Sequence, residues 1–219
     1  MPTLIPAILV HDAATFEKRL RAVEPFVDLV QIDVLNNTFI ESTSWADPEE
    51  IGKMPTDVGF ELHLMTAEPE VIAAQWKKVA NVRRVIFHLE ATDDPARVIQ
   101  EIEKLGWKVG MAVNPETPLS ALELYFDRAE VVLFMGVHPG KSGRVLLPET
   151  MERLREFLNR VTALPPEKRP QVGIDGGVNH ETIAALKAAG AELFYAGSEI
   201  FEKHASPEEA IKELTALIV

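Results

Sequence analysis

Two rhythms of apolar and polar positions trade places along this chain from end to end. Short apolar runs of strand length occupy residues 3–10, 27–33, 59–64, 84–88, 108–113, 131–135, 171–174 and 193–196, and helical patterns lie between them. Regular alternation of this kind implies parallel strands joined by helical crossovers. The helical stretches carry their own signals. Phe16, Leu20 and Val23 mark the core face of the first. Met151, Leu154, Phe157, Leu158 and Val161 do so for the sixth, with Pro148 near its start. Ser206-Pro207-Glu208-Glu209 combines a cap, a proline at the first helical position and an acid at the third, ahead of Ile211, Leu214 and Leu217 at core spacing. Asn179 reads as the cap of a helix with Ile183 and Leu186 inward and Gly190 as its stop.

Eight such units in 219 residues, with no linker or low-complexity tract, predict one domain spanning 1–219. The class is α/β, and a closed (β/α)8 barrel suits eight units better than an open sheet with a switch-point crevice. Residues 163–170 form a proline-rich turn before the seventh strand.

Composition narrows the picture. With 47% hydrophobic and 26% charged residues the chain is ordinary for a globular protein, and nothing in it reads as disorder. A net charge of −12 excludes a nucleic-acid footprint, which needs clustered Lys and Arg. Small anions remain allowed, because local amide dipoles and one or two basic side chains can hold them. There is no cysteine, which removes disulfides, thiolate ligands and thiol nucleophiles. No apolar stretch reaches the length of a membrane span, and the apolar N-terminus has neither a basic lead nor a small-residue cleavage site. A cytoplasmic protein without a membrane partner is expected.

In a barrel of this kind the chemistry lies at the carboxyl ends of the strands. The second strand finishes Gln31-Ile32-Asp33, the third Glu61-Leu62-His63, the fourth with His88 and Glu90 beyond it, and the seventh with Asp175. Strand alternation puts Gln31 and Asp33 on one face, and if that face is the barrel interior, Asp33, His63 and Asp175 converge. Two carboxylates and an imidazole suit a divalent metal of the zinc, manganese or iron(II) type, and equally suit acid/base work on the two faces of a substrate. Gly173-Ile174-Asp175-Gly176-Gly177-Val178-Asn179, and one helix later Phe194-Tyr195-Ala196-Gly197-Ser198, end strands in small residues ahead of helix starts. Their backbone N–H groups are suited to one phosphate.

Taken together these residues resemble the ribulose-phosphate 3-epimerase family along nearly the whole chain. The likeness runs through Pro6-Ala7-Ile8-Leu9, Asp33-Val34, His63-Leu64-Met65, Phe87-His88, Asn114-Pro115 with Thr117-Pro118, Pro139-Gly140, Asp175-Gly176-Gly177-Val178-Asn179 and Ala196-Gly197-Ser198. The resemblance implies a TIM barrel of the ribulose-phosphate-binding type, an isomerase that interconverts ribulose 5-phosphate and xylulose 5-phosphate at carbon 3, and a homo-oligomer. It implies Asp33 and Asp175 as the acid/base pair, with Asp33, His63 and Asp175 as metal ligands. Gly143, Gly176, Gly177, Gly197 and Ser198 would hold the phosphate.

Departures from the family pattern fall on the reactive face. Gln31 stands where the family has a fourth ligand, histidine, and Ala7 where it has serine. An amide oxygen is a poorer ligand than imidazole for zinc or iron, although water can complete a three-ligand site. The family's Met-Asp-Gly is Leu35-Asn36-Asn37 here, and its Asn-Pro-Gly-Phe-Gly-Gly-Gln loop reads His138-Pro139-Gly140-Lys141-Ser142-Gly143-Arg144. Two readings stay open: a metal-assisted epimerase of a ketose phosphate, and a diverged barrel that binds a sugar phosphate, or an altered one, without turning it over. A carbon–carbon lyase or synthase of the related barrels is disfavoured, because Leu35 interrupts the Asp-x-Lys-x-x-Asp arrangement. Of the remaining candidates, His88 reads as a hydrogen-bonded interior group, and His138 and Lys141 as exposed loop residues. Arg144 is a loop charge placed to pair with a phosphate, and Trp45, Trp76 and Trp107 are packing residues.

Overall fold

A computed structural model of the chain describes residues 1–140 and 143–219. Eight strands, β1 (Thr3–Ile8), β2 (Leu29–Leu35), β3 (Gly59–Met65), β4 (Val82–His88), β5 (Lys108–Val113), β6 (Val131–Met135), β7 (Gln171–Asp175) and β8 (Leu193–Ala196), pair in chain order and close into a barrel. The closing pair, β1 with β8, is parallel like the rest. The eight strands fall where the apolar runs place them, with shifted ends. The first stops at Ile8, and the second starts at Leu29 and runs on to Leu35. Strand ends are set by the neighbour's hydrogen bonds, which hydrophobicity does not encode.

The connecting helices are α1 (Ala13–Val23), α2 (Pro48–Ile51), α3 (Pro69–Gln75), α4 (Pro95–Lys104), α5 (Thr150–Val161), α6 (Ile183–Ala188), α7 (Ser198–Glu202) and α8 (Pro207–Ile218). The fifth crossover is different: Leu119–Tyr125 winds as a 3-10 helix. Pro118 precedes it and accepts from Ala121 N–H, the i to i+3 bond of the tighter helix. Side chains of Asp12, Asp47, Asp94 and Ser206 cap α1, α2, α4 and α8 by accepting backbone N–H groups. Asn179 accepts from the N–H groups of Glu181 and Thr182, so it caps the turn that leads into α6, not the helix itself. On α8, Ile211 and Leu214 are buried as expected, but Leu217 is 40% exposed. Ile218 completes the inward stripe instead, with Leu217 rotated to its edge.

Two apolar layers fill the molecule. The larger lies between strands and helices and includes Phe16, Leu20, Trp76 and Phe157, with Trp45 and Trp107 partly buried against it. The smaller lines the barrel, with Ile5, Ile86, Leu133 and Tyr195. Beneath the site a polar layer crosses the interior. Glu61 and Arg84, partners in register, form a buried ion pair, and Arg84 also reaches Glu130 at 2.9 Å and Tyr195 Oη at 3.5 Å. Burial pushes the Glu61 carboxyl up against the pull of Arg84. Among the described residues no helix is long and apolar enough to cross a membrane.

Candidate active site

Register builds the site. Asp33 on β2 lies opposite His63 on β3, while Gln31, two residues earlier on the same face, lies opposite Ala7 and Glu61. Asp175 ends β7 beside Tyr195. Barrel closure turns these four side chains onto one point. Gln31 Nε2 donates to Asp33 Oδ1 at 3.0 Å and to Asp175 Oδ2 at 2.7 Å. His63 Nδ1 stands 3.1 Å from the first of these oxygens and 3.3 Å from the second. Asp33, His63 and Asp175 each offer one ligand atom within 4.8 Å of the others, a spacing that could hold a metal ion. The Gln31 amide presents its NH2 to both carboxylates, which leaves Oε1 buried with no hydrogen-bond partner. Rotating the amide would exchange the two faces and turn the oxygen toward the carboxylates. That orientation is favourable only with a cation between them.

Burial and hydrogen bonding compete at these groups. Burial pushes the Asp33 carboxyl above its usual range, with Asp175 adding to the shift and the hydrogen bond from His63 opposing it. For His63, burial alone would disfavour the charge, but the hydrogen bonds to Asp175 and Asp33 push it up to about 10. A cationic His63 donates through its other nitrogen to His88 Nε2, 3.0 Å away. Burial holds His88 below the usual imidazole value, so it stays neutral and accepts. Its remaining proton, on Nδ1, faces Glu90 Oε2 at 3.5 Å, a through-space attraction longer than a hydrogen bond. Despite partial burial, Glu90 is held low by His88, by Thr117 and by the Asn114 N–H, 2.8 Å away. His88 is therefore the interior hydrogen-bonded group its strand position predicts.

Above this floor opens a cavity of about 740 Å³, counting the part open to solvent. Asp33, His63 and Asp175 lie at its base, and Gly143, Gly176, Gly177, Gly197 and Ser198 also line it. At Gly177 the backbone has φ +73°, and a Cβ there would sit 2.7 Å from the Leu146 backbone. The loop after β6 thus packs directly on a glycine that no other residue replaces without strain. A Cβ on Gly143 would come within 3.9 Å of Ser198 Oγ, so the loops after β6 and β8 meet at this wall.

Basic groups edge the cavity: Arg19 pairs with Glu202 at 3.0 Å, Lys203 with Glu199 at 3.7 Å, and Arg144 is exposed at the mouth. Lys141 and Ser142 lie outside the described residues. His138 is exposed, as expected, and bound to Glu116 at 2.6 Å. Asn37 has φ +63°, a left-handed conformation that asparagine tolerates better than most residues. Glu199 and the two histidines around it escape a reading of the sequence. Its one local sign is a carboxylate directly after Gly197-Ser198 with His204 five residues on.

Residues 3–201 match the model of the ribulose-phosphate 3 epimerase family. A relative from Escherichia coli (strain K12) called ribulose-phosphate 3-epimerase is 32% identical over 203 residues, covering 91% of this chain and 89% of its own. One of the same name from Mycobacterium bovis is 32% identical over 201 residues, covering 91% and 86%. A crystal structure of 3-hexulose-6-phosphate synthase superposes with TM-score 0.68 over the full length of both chains at 22% identity, a likeness of fold.

Proposed function

Because the chain belongs to the ribulose-phosphate 3-epimerase family, we propose that it interconverts ribulose 5-phosphate and xylulose 5-phosphate by moving the carbon-3 proton between Asp33 and Asp175. The observation that carries this reading is the pair of carboxylates held by shared partners in unequal surroundings. In this reading Asp175, at the more open end of β7, is the base, and Asp33, the more deeply buried of the two, is the acid on the opposite face. Asp175 takes the proton from carbon 3, the C–H electrons form the carbon 2–carbon 3 double bond, and the carbonyl electrons move to oxygen as an enediolate. Asp33 then returns a proton to the opposite face and is left as carboxylate, ready to act as base in reverse. Gln31 and His63 hold both carboxylates in place. Gly143, Gly176, Gly177, Gly197 and Ser198 anchor the phosphate, with Arg144 at the rim.

The donor set fits a divalent cation of the zinc, manganese or iron(II) type at Asp33, His63 and Asp175, and the orphaned Gln31 Oε1 is the fourth group such an ion would turn inward. When bound, the ion supplies positive charge where the enediolate oxygens become anionic.

A second reading rests on Gln31. Its NH2 already bridges the carboxylates as a cation would, which fits a barrel that binds a sugar phosphate without turning it over. One experiment separates the two: the carbon-3 proton of ribulose 5-phosphate is followed by NMR in D2O with metal-analysed protein. Exchange lost in Asp33→Asn and in Asp175→Asn supports the epimerase. Lack of exchange after Zn²⁺, Mn²⁺ or Fe²⁺ addition, with sugar-phosphate binding intact, refutes it.

A further inference from the structure

Outside the Asp33 site, a second set of metal-ligand side chains comes together at His180, Glu199 and His204, on the turn after β7, the first turn of α7 and the loop after α7. We infer that these three residues form a binding site for a divalent cation of the zinc class, set in the wall beside the phosphate-facing Ser198.

Three observations carry this. His180 Nδ1 lies 2.8 Å from Glu199 Oε1, His204 Nε2 lies 3.3 Å from the same oxygen, and all three ligand atoms fall within 4.8 Å of one another. Tetrahedral zinc with bonds of about 2.0–2.1 Å separates its ligand atoms by about 3.3 Å, so an ion needs only small side-chain rotations here. Each histidine also turns its other nitrogen toward a second carboxylate. His204 Nδ1 faces Glu213 Oε2 at 3.5 Å, and His180 Nε2 faces Glu181 Oε1 at 3.8 Å. Both contacts are longer than a hydrogen bond, so these carboxylates add through-space attraction that favours a cation between the imidazoles and Glu199 without fixing the rings.

The third observation is the carboxylate itself. Glu199 is 3% exposed, with two histidines and Lys203 around it, beside a wall proposed to receive a phosphate. Despite that burial, the two imidazoles and Lys203 hold the carboxyl below its ordinary range, so it is the ionised ligand such a cation requires, and a bound divalent ion would add positive charge to the wall. His180 is 59% exposed in its side chain, which leaves the remaining position open to water or to an anion.

The site is independent of the Asp33–Asp175 reading, and the test keeps them apart. The Asp33→Asn/Asp175→Asn double variant, freed of metal and dialysed against Zn²⁺, is expected to retain one equivalent, and to lose it when His180→Ala or His204→Gln is added. Titration of the wild-type protein with Co²⁺, read on the histidine ring protons by NMR, needs no substitution and covers the case in which a variant does not fold. Resonances of His180 and His204 should shift and broaden together. A folded double variant that binds no zinc, a stoichiometry unchanged by His180→Ala, or Co²⁺ effects confined to His63 and His88 would overturn the inference and leave the cluster as an ion-pair hub.

Discussion

Gln31→Glu keeps the shape of the side chain and replaces its NH2 with an acceptor. In the metal-free protein this removes two donors, at 3.0 Å to Asp33 and 2.7 Å to Asp175, and sets a third carboxyl against them. A hydrogen bond to a charged acceptor contributes about 1.5–3 kcal/mol, so the two together set a loss of about 3–6 kcal/mol when the introduced carboxyl is ionised. For a chain of this size that is a fall of roughly 6–24 °C in Tm. Burial and repulsion raise that carboxyl in the folded state above its unfolded value of about 4.3. Its contribution is then favourable below that value and is lost as pH rises through the folded one. The deficit should be smallest at about pH 4, where the introduced carboxyl is protonated and can donate one bond, and grow toward pH 8. Excess Zn²⁺ should recover most of it at pH 8, because the added carboxylate is a good ligand and binding stabilises the folded state. Thermal melts followed by circular dichroism in EDTA and in Zn²⁺, across pH, measure all of this. A metal-free variant within about 2 °C of wild type at pH 8, or a deficit that ignores pH, would refute the reasoning.

Two further outcomes follow from the same geometry. His63 is held near 10 in the folded protein against an ordinary value of 6.5, so its stabilisation of the metal-free protein should be complete below about pH 6.5 and disappear as pH rises through about 10; EDTA-treated melts should show that alkaline loss, and His63→Gln should flatten it. Gly177→Ala forces a Cβ against the Leu146 backbone at positive φ, and should cost about 2–4 kcal/mol in urea unfolding and weaken phosphate binding measured by calorimetry.

Periodicity within single segments was enough to place the eight strands, and with them Asp33, His63 and Asp175 toward their carboxyl ends, because a two-residue repeat decides locally which side chains share a face. The apolar faces of α1 and α5 and the Ser206 cap were legible for the same reason: each depends on residues within a few positions of one another. Other features were decided only when distant units met. The 3-10 crossover, the exposed Leu217 and the shifted strand ends depend on what packs alongside, which composition does not carry. Gln31 reads as a lost ligand along the chain, yet the closed barrel makes it a donor to two carboxylates, one of them 144 positions away. His63 meets His88 across neighbouring strands, and His180 meets Glu199 and His204 across neighbouring units. Short-range pattern determines which groups reach the barrel mouth. The charge each carries there, and what it touches, belongs to burial and closure, because desolvation and cross-strand contact exist only in the folded molecule.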